Sequence, residues 1–543
     1  MAWVRRVRTG SGATAVQVAD YVDGHRRILA HLGSAHDQGE LGLLVGIAQD
    51  MIEQGQPMLD FGVDFPVRQV SLLGPAQEAT LFDGQVARLK PSPVGRAKVV
   101  GAWSTVLFDV IAEVFDDLGL DEIGDRVFKD LVIAQIVEPT SLLDVDRVLF
   151  DMGRRVGSLS TRKRTLARCV SGDYRARVAD ACFKQASTSG DVSLCLYDVT
   201  TLRTQAVKED EFRRVGFSKD RSVDPQILVG LLVDRTGFPL EVACFQGNKA
   251  EKNTIIPVIA HFRSRHQIED MVVAADAGML SAANLKTLDD AGYRFIVGSR
   301  ATKAPIDLES HFAWHGEFID DGQIVDTITP KIGVNTDNDT SQLAEPVWDP
   351  REYPSSWRAI WQYSGKRFTH DNQMLDLQQT RALGIINGDR QAHKARFVKK
   401  LGGRWALDQT SLARARKTAG LKGYVTNMPA TVMPAEEVIA RYHDLWHVEQ
   451  SFRISKSDLA ARPFFARQRD AIEAHITIVF TALAVTRTIQ QRTGLTIRRV
   501  IRALRPLRSA TIKINGITKT IPAEIPEDEQ AIISAIKTDK PRH

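Results

Sequence analysis

Cysteine is scarce in this chain, with four in 543 residues. The four, Cys169, Cys182, Cys195 and Cys244, have neither the paired short spacing of a zinc site nor the density of a disulfide scaffold, and they point to a reducing compartment. No run of about 18 or more apolar residues is present, which argues against a helical membrane span. The most apolar helical candidate, Ala474 to Val485, is too short to cross a bilayer and carries His475. The opening residues, MAWVRRVRTGSG, lack the apolar core of a signal peptide. Internal repeats and low-complexity tracts are absent as well. A soluble cytoplasmic protein is the expectation.

What is there is long and evenly composed. At 543 residues the chain exceeds what one core supports, since single cores stop growing near roughly 250–300 residues. A hydrophobic share of 43% and a charged share of 25% are those of an ordinary globular protein. Net charge is only +5, yet the basic residues gather in groups. These are Arg5, Arg6 and Arg8; Arg162, Lys163, Arg164 and Arg168; Lys394, Arg396, Lys399, Lys400 and Arg404; and Arg498, Arg499, Arg502, Arg505 and Arg508. Separate positive patches suit a polyanion that touches several domains, or are solvated helix faces.

The pattern predicts six segments. Residues 1–60 read as a small α/β module, AVQVADYV as strand and HRRILAHLGS as helix, and residues 61–190 as a helical region, with helix beginning near Val99. Residues 191–300 give the order βββαβαβ: VSLCLYDV, QILVGLLVD and LEVACFQG, a helix, MVVAAD, a helix ending at Gly292, and YRFIVGS. Three antiparallel strands followed by parallel additions is the ribonuclease-H-like arrangement. Residues 301–428 read as a mostly β insertion with a basic helix-like stretch from Arg390 to Arg404, RALGIING being one of its short turn-bounded pieces. Residues 429–490 return to the core with one long helix from Pro434 towards Pro463, and 491–543 form a basic C-terminal region.

Two apolar runs each end in an aspartate, Asp198 and Asp276. Carboxylates at the exits of buried strands are costly unless compensated, and a divalent cation is the usual compensation. In the expected strand order the two strands are neighbours, so both carboxylates reach one point. On the long helix Tyr442, Glu449 and Lys456 recur every seven residues and share nearly one face, although on spacing alone a Glu449–Arg453 pair at i+4 is the simpler explanation.

The segments YDVTTL, GNKAEKNT, VVAADAGMLSAANL and YHDLWHVEQSFRISKSDLAARP resemble bacterial insertion-sequence transposases of the DDE class, in the group with a β-rich insertion before the catalytic glutamate. That group carries the signature Y-x2-R-x3-E-x6-K. Tyr442, Glu449 and Lys456 match it, whereas Leu445 stands at the arginine position, with Arg453 or Arg441 as the replacement. The resemblance spans roughly residues 190–485 and implies Asp198, Asp276 and Glu449 as catalytic and metal-binding residues for two Mg²⁺ ions, with Mn²⁺ as a substitute. It further implies double-stranded DNA as partner, both transposon-end inverted repeats and target, and a homodimer within a synaptic complex.

Other residues are open to two readings. Lys219 and Arg221 are placed to contact DNA phosphates or are solvated loop charges. Thr200 and Thr201 hold a phosphate or carboxylate, or serve only as strand formers. Asn248, Glu251 and Thr254 resemble the family's GNxxExT segment, with Asn248 read as a helix cap. Trp405, beside Lys400 and Arg404, is the first choice for stacking on a flipped base. His443, His447 and His475 are expected to pack rather than ligate, so no zinc site is expected. The function expected is DNA-end cleavage and transfer of the 3′ ends to target DNA. The alternatives are a structure-selective nuclease and a non-catalytic regulator.

Overall fold

The structure, a computed structural model, describes residues 3–8, 14–22, 25–35 and 98–537, apart from 156, 191, 205–208, 217–223, 269, 277–280, 317, 333–344, 390–394, 403, 462–467 and 515–516. The chain forms two compact units, residues 1–92 and 93–543.

In the first unit, β1 (Trp3–Arg8), β2 (Thr14–Val22) and β3 (His25–Ala35) make an antiparallel meander. The helix expected over HRRILAHLGS is therefore strand β3. It pairs with β2 along its length, whose Val16, Val18 and Ala19 are buried, whereas a lone ten-residue helix is marginal in water.

The second unit opens with another departure. The helix expected from Val99 begins at Thr105, because residues 98–103 form β4 (Lys98–Trp103), where adjacent β-branched valines and Gly101 disfavour helix. The helix Thr105–Asp117 then buries Leu107, Ile111, Val114 and Phe115 at three- and four-residue spacing. Helices 126–137, 145–151, 159–171 and 174–189 follow, the first capped by Asp125, which accepts from the amides of Val127 and Phe128 at 3.0 and 3.1 Å. Several of them pack on Arg469–Thr493, a helix long and apolar enough to cross a membrane but with 89% of its apolar window buried inside the protein.

The expected βββαβαβ order is present: β5 (Leu194–Arg203), β6 (Gln226–Asp234), β7 (Pro239–Gln246), helix 255–266, β8 (Val272–Ala275), helix 282–290 and β9 (Arg294–Ser299). Beyond it come β10 (Ile324–Pro330), β11 (Ser356–Tyr363), the hairpin β12 (Val398–Leu401) and β13 (Arg404–Leu407), and β14 (Leu421–Thr426). One eight-stranded mixed sheet has the order β10-β11-β14-β9-β8-β5-β6-β7. Residues 301–428 thus extend the main sheet, and they are not mostly β: RALGIING lies in the helix Gly365–Ile386. The basic stretch read as helix is, where described, the β12–β13 hairpin, pairing Lys400 with Trp405.

The long helix expected after Pro434 is broken into Ala435–His443, Trp446–Arg453 and a π-helical turn, Ile454–Asp458. At the C-terminus β15 (Ser509–Ile514) pairs with both β16 (Ile517–Ile521) and β4, and the helix Glu527–Lys537 packs Ile533 and Ile536 into the core. The arginines of the last basic group, candidates for a polyanion, are partly occupied here. Arg505 holds Glu138 at 2.8 Å and Asp151 at 3.2 Å, Arg508 holds Asp151 at 2.7 Å, and Arg498 holds Asp458 at 2.8 Å. Arg162 is likewise buried on Asp146 at 2.6 Å, and Arg168 pairs with Asp125.

Candidate active site

β5 and β8 run parallel, paired from Leu194 with Val272 to Tyr197 with Ala275. Asp198 and Asp276 are therefore the next residues on two adjacent strands, which lie about 4.8 Å apart in a sheet. Asp276 does follow the end of its strand. Asp198 does not end β5, which runs on to Arg203 beside β6; it sits where the parallel pairing stops. The third acid, Glu449, lies in the first turn of the helix Trp446–Arg453, packed over β5 and β6.

The break before this helix has a local cause. The amide of Leu445 bonds to the carbonyl of Tyr442 at 3.2 Å and that of His447 to Asp444 at 2.9 Å, tightening the turn to three-residue bonds. The π turn beyond Arg453 then widens it, with the amide of Leu459 on the carbonyl of Ile454 at 3.0 Å. Tyr442, Glu449 and Lys456 still face one cleft of about 820 Å³, which Asp198 and Asp276 also line. The phenol of Tyr442 donates to Asp276 Oδ1 at 3.0 Å, and Lys456 Nζ donates to the hydroxyl of Thr200.

The cleft is electrostatically unbalanced towards negative charge. Burial pushes the Asp198 carboxyl up to about 6, and Glu449, Asp276 and Glu251 push the same way, against a 2.7 Å hydrogen bond from the Val199 amide to its Oδ1. Burial and the neighbouring Asp276 raise the Tyr442 phenol well above its ordinary range, so it is a neutral donor. Converging carboxylates whose charges raise the proton affinity of Asp198 form a set that fits a hard divalent cation.

Two supports fix the cleft from behind. The β6–β7 turn is held by Asp234 Oδ1, which accepts from the amides of Thr236 and Phe238 at 2.8 and 2.9 Å. Its Gly237 has φ +85°, and a Cβ there would lie 2.7 Å from Arg487 Nη2 and 3.0 Å from the His447 carbonyl; Ser451 Oγ donates to the Gly237 carbonyl at 2.7 Å. On the other side the Tyr197 phenol donates to Thr254 Oγ1 at 3.0 Å, and that hydroxyl donates to the Glu251 carbonyl at 2.6 Å, setting the turn that brings Glu251 to the cleft.

Of the expected contact residues, Arg453 lines the cleft, whereas Arg441 is absent from its lining and pairs with Glu437 at 3.0 Å and Asp444 at 3.5 Å. Leu445, which the resemblance set against an arginine, lines it as an apolar residue. Trp405, Lys400 and Arg404 do not line it. Lys400 instead lies 5.1 Å above the Trp405 ring in its hairpin. Lys219 and Arg221 fall outside the described residues. Asn248 is not a cap, because a 3-10 turn at Glu251–Asn253 intervenes and the helix starts from Thr254. His443 bonds the Tyr424 hydroxyl at 3.2 Å, His447 lies against Trp446, and His475 is buried, its pKa pushed down to about 4 by burial.

Three cleft residues escaped assignment from sequence. Glu251 was visible within GNKAEKNT but not as a site acid. Lys422, from β14, places Nζ 4.9 Å from the Tyr442 ring; burial and Arg367 depress its pKa while Asp276 opposes them. Trp446 is 52% exposed at the cleft wall, and its position beside Leu445 was the only sequence signal. Trp348, Trp357 and Trp361 are core residues.

A family model described as "Transposase DDE domain" matches residues 190–485. No curated protein matches significantly. Among solved structures, the cryo-EM structure of a piggyBac transposase synaptic complex with hairpin DNA is similar at 9% identity with a TM-score of 0.37, over 74% of this chain and 79% of that one. At that TM-score the likeness assigns neither an activity nor a partner.

Proposed function

This chain belongs to the transposase DDE domain family, and on that premise we propose that it binds the terminal inverted repeats of a bacterial insertion sequence, cleaves there and joins the 3′ ends to target DNA. The carrying observation is the meeting of Asp198, Asp276 and Glu449 in one cleft, with Tyr442 bonded to Asp276 and Lys456 bonded to Thr200 beside them. In this reading the sheet from β5 to β9 is a ribonuclease-H-like core.

The three acids would hold two divalent cations, Mg²⁺ or Mn²⁺, which when bound supply Lewis-acid stabilisation of phosphoryl transfer. The chain's own groups do the rest. Tyr442 orients the Asp276 carboxylate by donating to its Oδ1. Lys456, Arg453 and Lys422 present positive charge to DNA phosphates at the cleft, and Lys422 with Arg453 makes up for the apolar Leu445. Trp446 offers an exposed ring on which an unpaired base can stack. Action as a homodimer in a synaptic complex, in the bacterial cytoplasm, completes the proposal.

The test uses a plasmid carrying the genomic flanks of the reading frame. Wild-type protein is expected to nick the inverted-repeat ends only with Mg²⁺ or Mn²⁺, and Asp276→Ala is expected to lose nicking while binding the ends within about threefold of wild type. Undiminished nicking by Asp276→Ala would overturn the site assignment. Pre-cleaved ends incubated with a target plasmid then separate a transposase, which joins them, from a nuclease, which does not.

A further inference from the structure

Away from the cleft, the helix Glu309–His315 carries His311 and His315 four residues apart, on one face. Their ring centroids are 5.0 Å apart. Glu345 joins them from a later segment, with Oε1 2.5 Å from His311 Nδ1 and 3.8 Å from His315 Nε2. One donor atom from each residue lies within 4.8 Å of the other two. His311 is only 2% exposed, and among the described residues its Nε2 has no hydrogen-bond partner.

We propose that His311, His315 and Glu345 form a zinc-binding site that fastens the segment at Glu345 to the helix. Two imidazoles and one carboxylate are the protein donors of three-ligand zinc sites, where the fourth position stays open to water. The same set is unsuited to Mg²⁺, which prefers oxygen alone. Metal–ligand distances of about 2.0–2.2 Å place tetrahedral donors roughly 3.3 Å apart, so the 2.5 Å His311–Glu345 pair opens slightly as the metal displaces its shared proton while the wider pairs close. The closing movement falls to His315, whose side chain is 57% exposed and free to change rotamer. None of the three residues lines the DDE cleft, so the two metal chemistries are separable by residue and by metal.

Full-length protein stripped with a chelator is reloaded with Zn²⁺ in the presence of excess Mg²⁺, desalted, and assayed for zinc by atomic emission. The expected result is one zinc per chain in wild type and in Asp276→Ala, with at least a tenfold loss in His315→Ala and in Glu345→Gln. His315 is exposed and Glu345→Gln keeps side-chain volume, so neither change disturbs the core. Wild-type protein retaining no zinc, or His315→Ala retaining the wild-type amount, overturns the site. Zinc lost only in Asp276→Ala would assign the metal to the DDE cleft and overturn it equally.

Discussion

Asp198 ionises at neutral pH against burial and three neighbouring carboxylates, so its folded pKa of about 6 lies above the ordinary value of 3.8. Between those two values the folded state binds more protons than the unfolded one. This group's contribution therefore falls as pH rises through that window, and its full penalty is in place above about 6. In chelator, Asp198→Asn is expected to stabilise the protein at pH 7.5 by about 1–2 kcal/mol, with little effect at pH 4, and to abolish cleavage. Thermal melts at the two pH values check it; a variant less stable at pH 7.5 would show that the acids are not in tension. The acids were legible because each sits in a short, chemically pointed string. Lys422 was not, because nothing around it in LKGYVT marks it: only the pairing of β14 with β9 brings it to Tyr442.

At the scale of elements, the helix that carries Glu449 depends on a turn far from it in sequence. Gly237 combines positive φ with close approach to the His447 carbonyl, and neither tolerates a side chain. Gly237→Ala is expected to cost about 1–3 kcal/mol and to lower nicking more than DNA binding, because it displaces the segment that carries Glu449. Urea titration and a nicking assay on the same preparation measure both; unchanged stability would count against the docking role. The near-continuous apolar runs of β5, β6 and β8 were readable as strands since they are buried on both faces. HRRILAHLGS, the basic stretch before Trp405 and RALGIING were misread because cross-strand pairing, or incorporation into a long helix, decided them over local pattern. The break at Asp444–Leu445 leaves no trace in a helix-favouring sequence without glycine or proline.

Over the second unit as a whole, the two ends are knitted together. β4 pairs with β15, the Ser104 hydroxyl donates to the Arg505 carbonyl at 2.6 Å, and Arg492 holds both Asp117 at 2.8 Å and the Ile536 carbonyl at 2.9 Å. Ending the chain after Arg508 leaves every cleft residue in place yet removes β15, β16 and the buried Ile533 and Ile536, each worth about 1.5–3 kcal/mol. The truncated protein is expected to melt at least 5 °C lower by circular dichroism. An unchanged melting temperature would make the C-terminal region dispensable for folding. None of this closure was visible in the sequence, where β4 was read as helix and residues 491–543 as a basic C-terminal region.

The sheet order also has a temporal side. β14 must slot between β9 and β11, and the last of the three acids is encoded after it, at position 449 against 276 for the second. At elongation rates of about 5–20 residues per second, roughly 10–35 s separate the synthesis of Asp276 from that of Glu449. Throughout that interval the nascent chain holds two acids on an unfinished sheet, and a product cut short by a frameshift or a stalled ribosome stays in that condition. All three acids line one cleft only on chains translated past Glu449, so the order of segments makes the completed site a late product of synthesis.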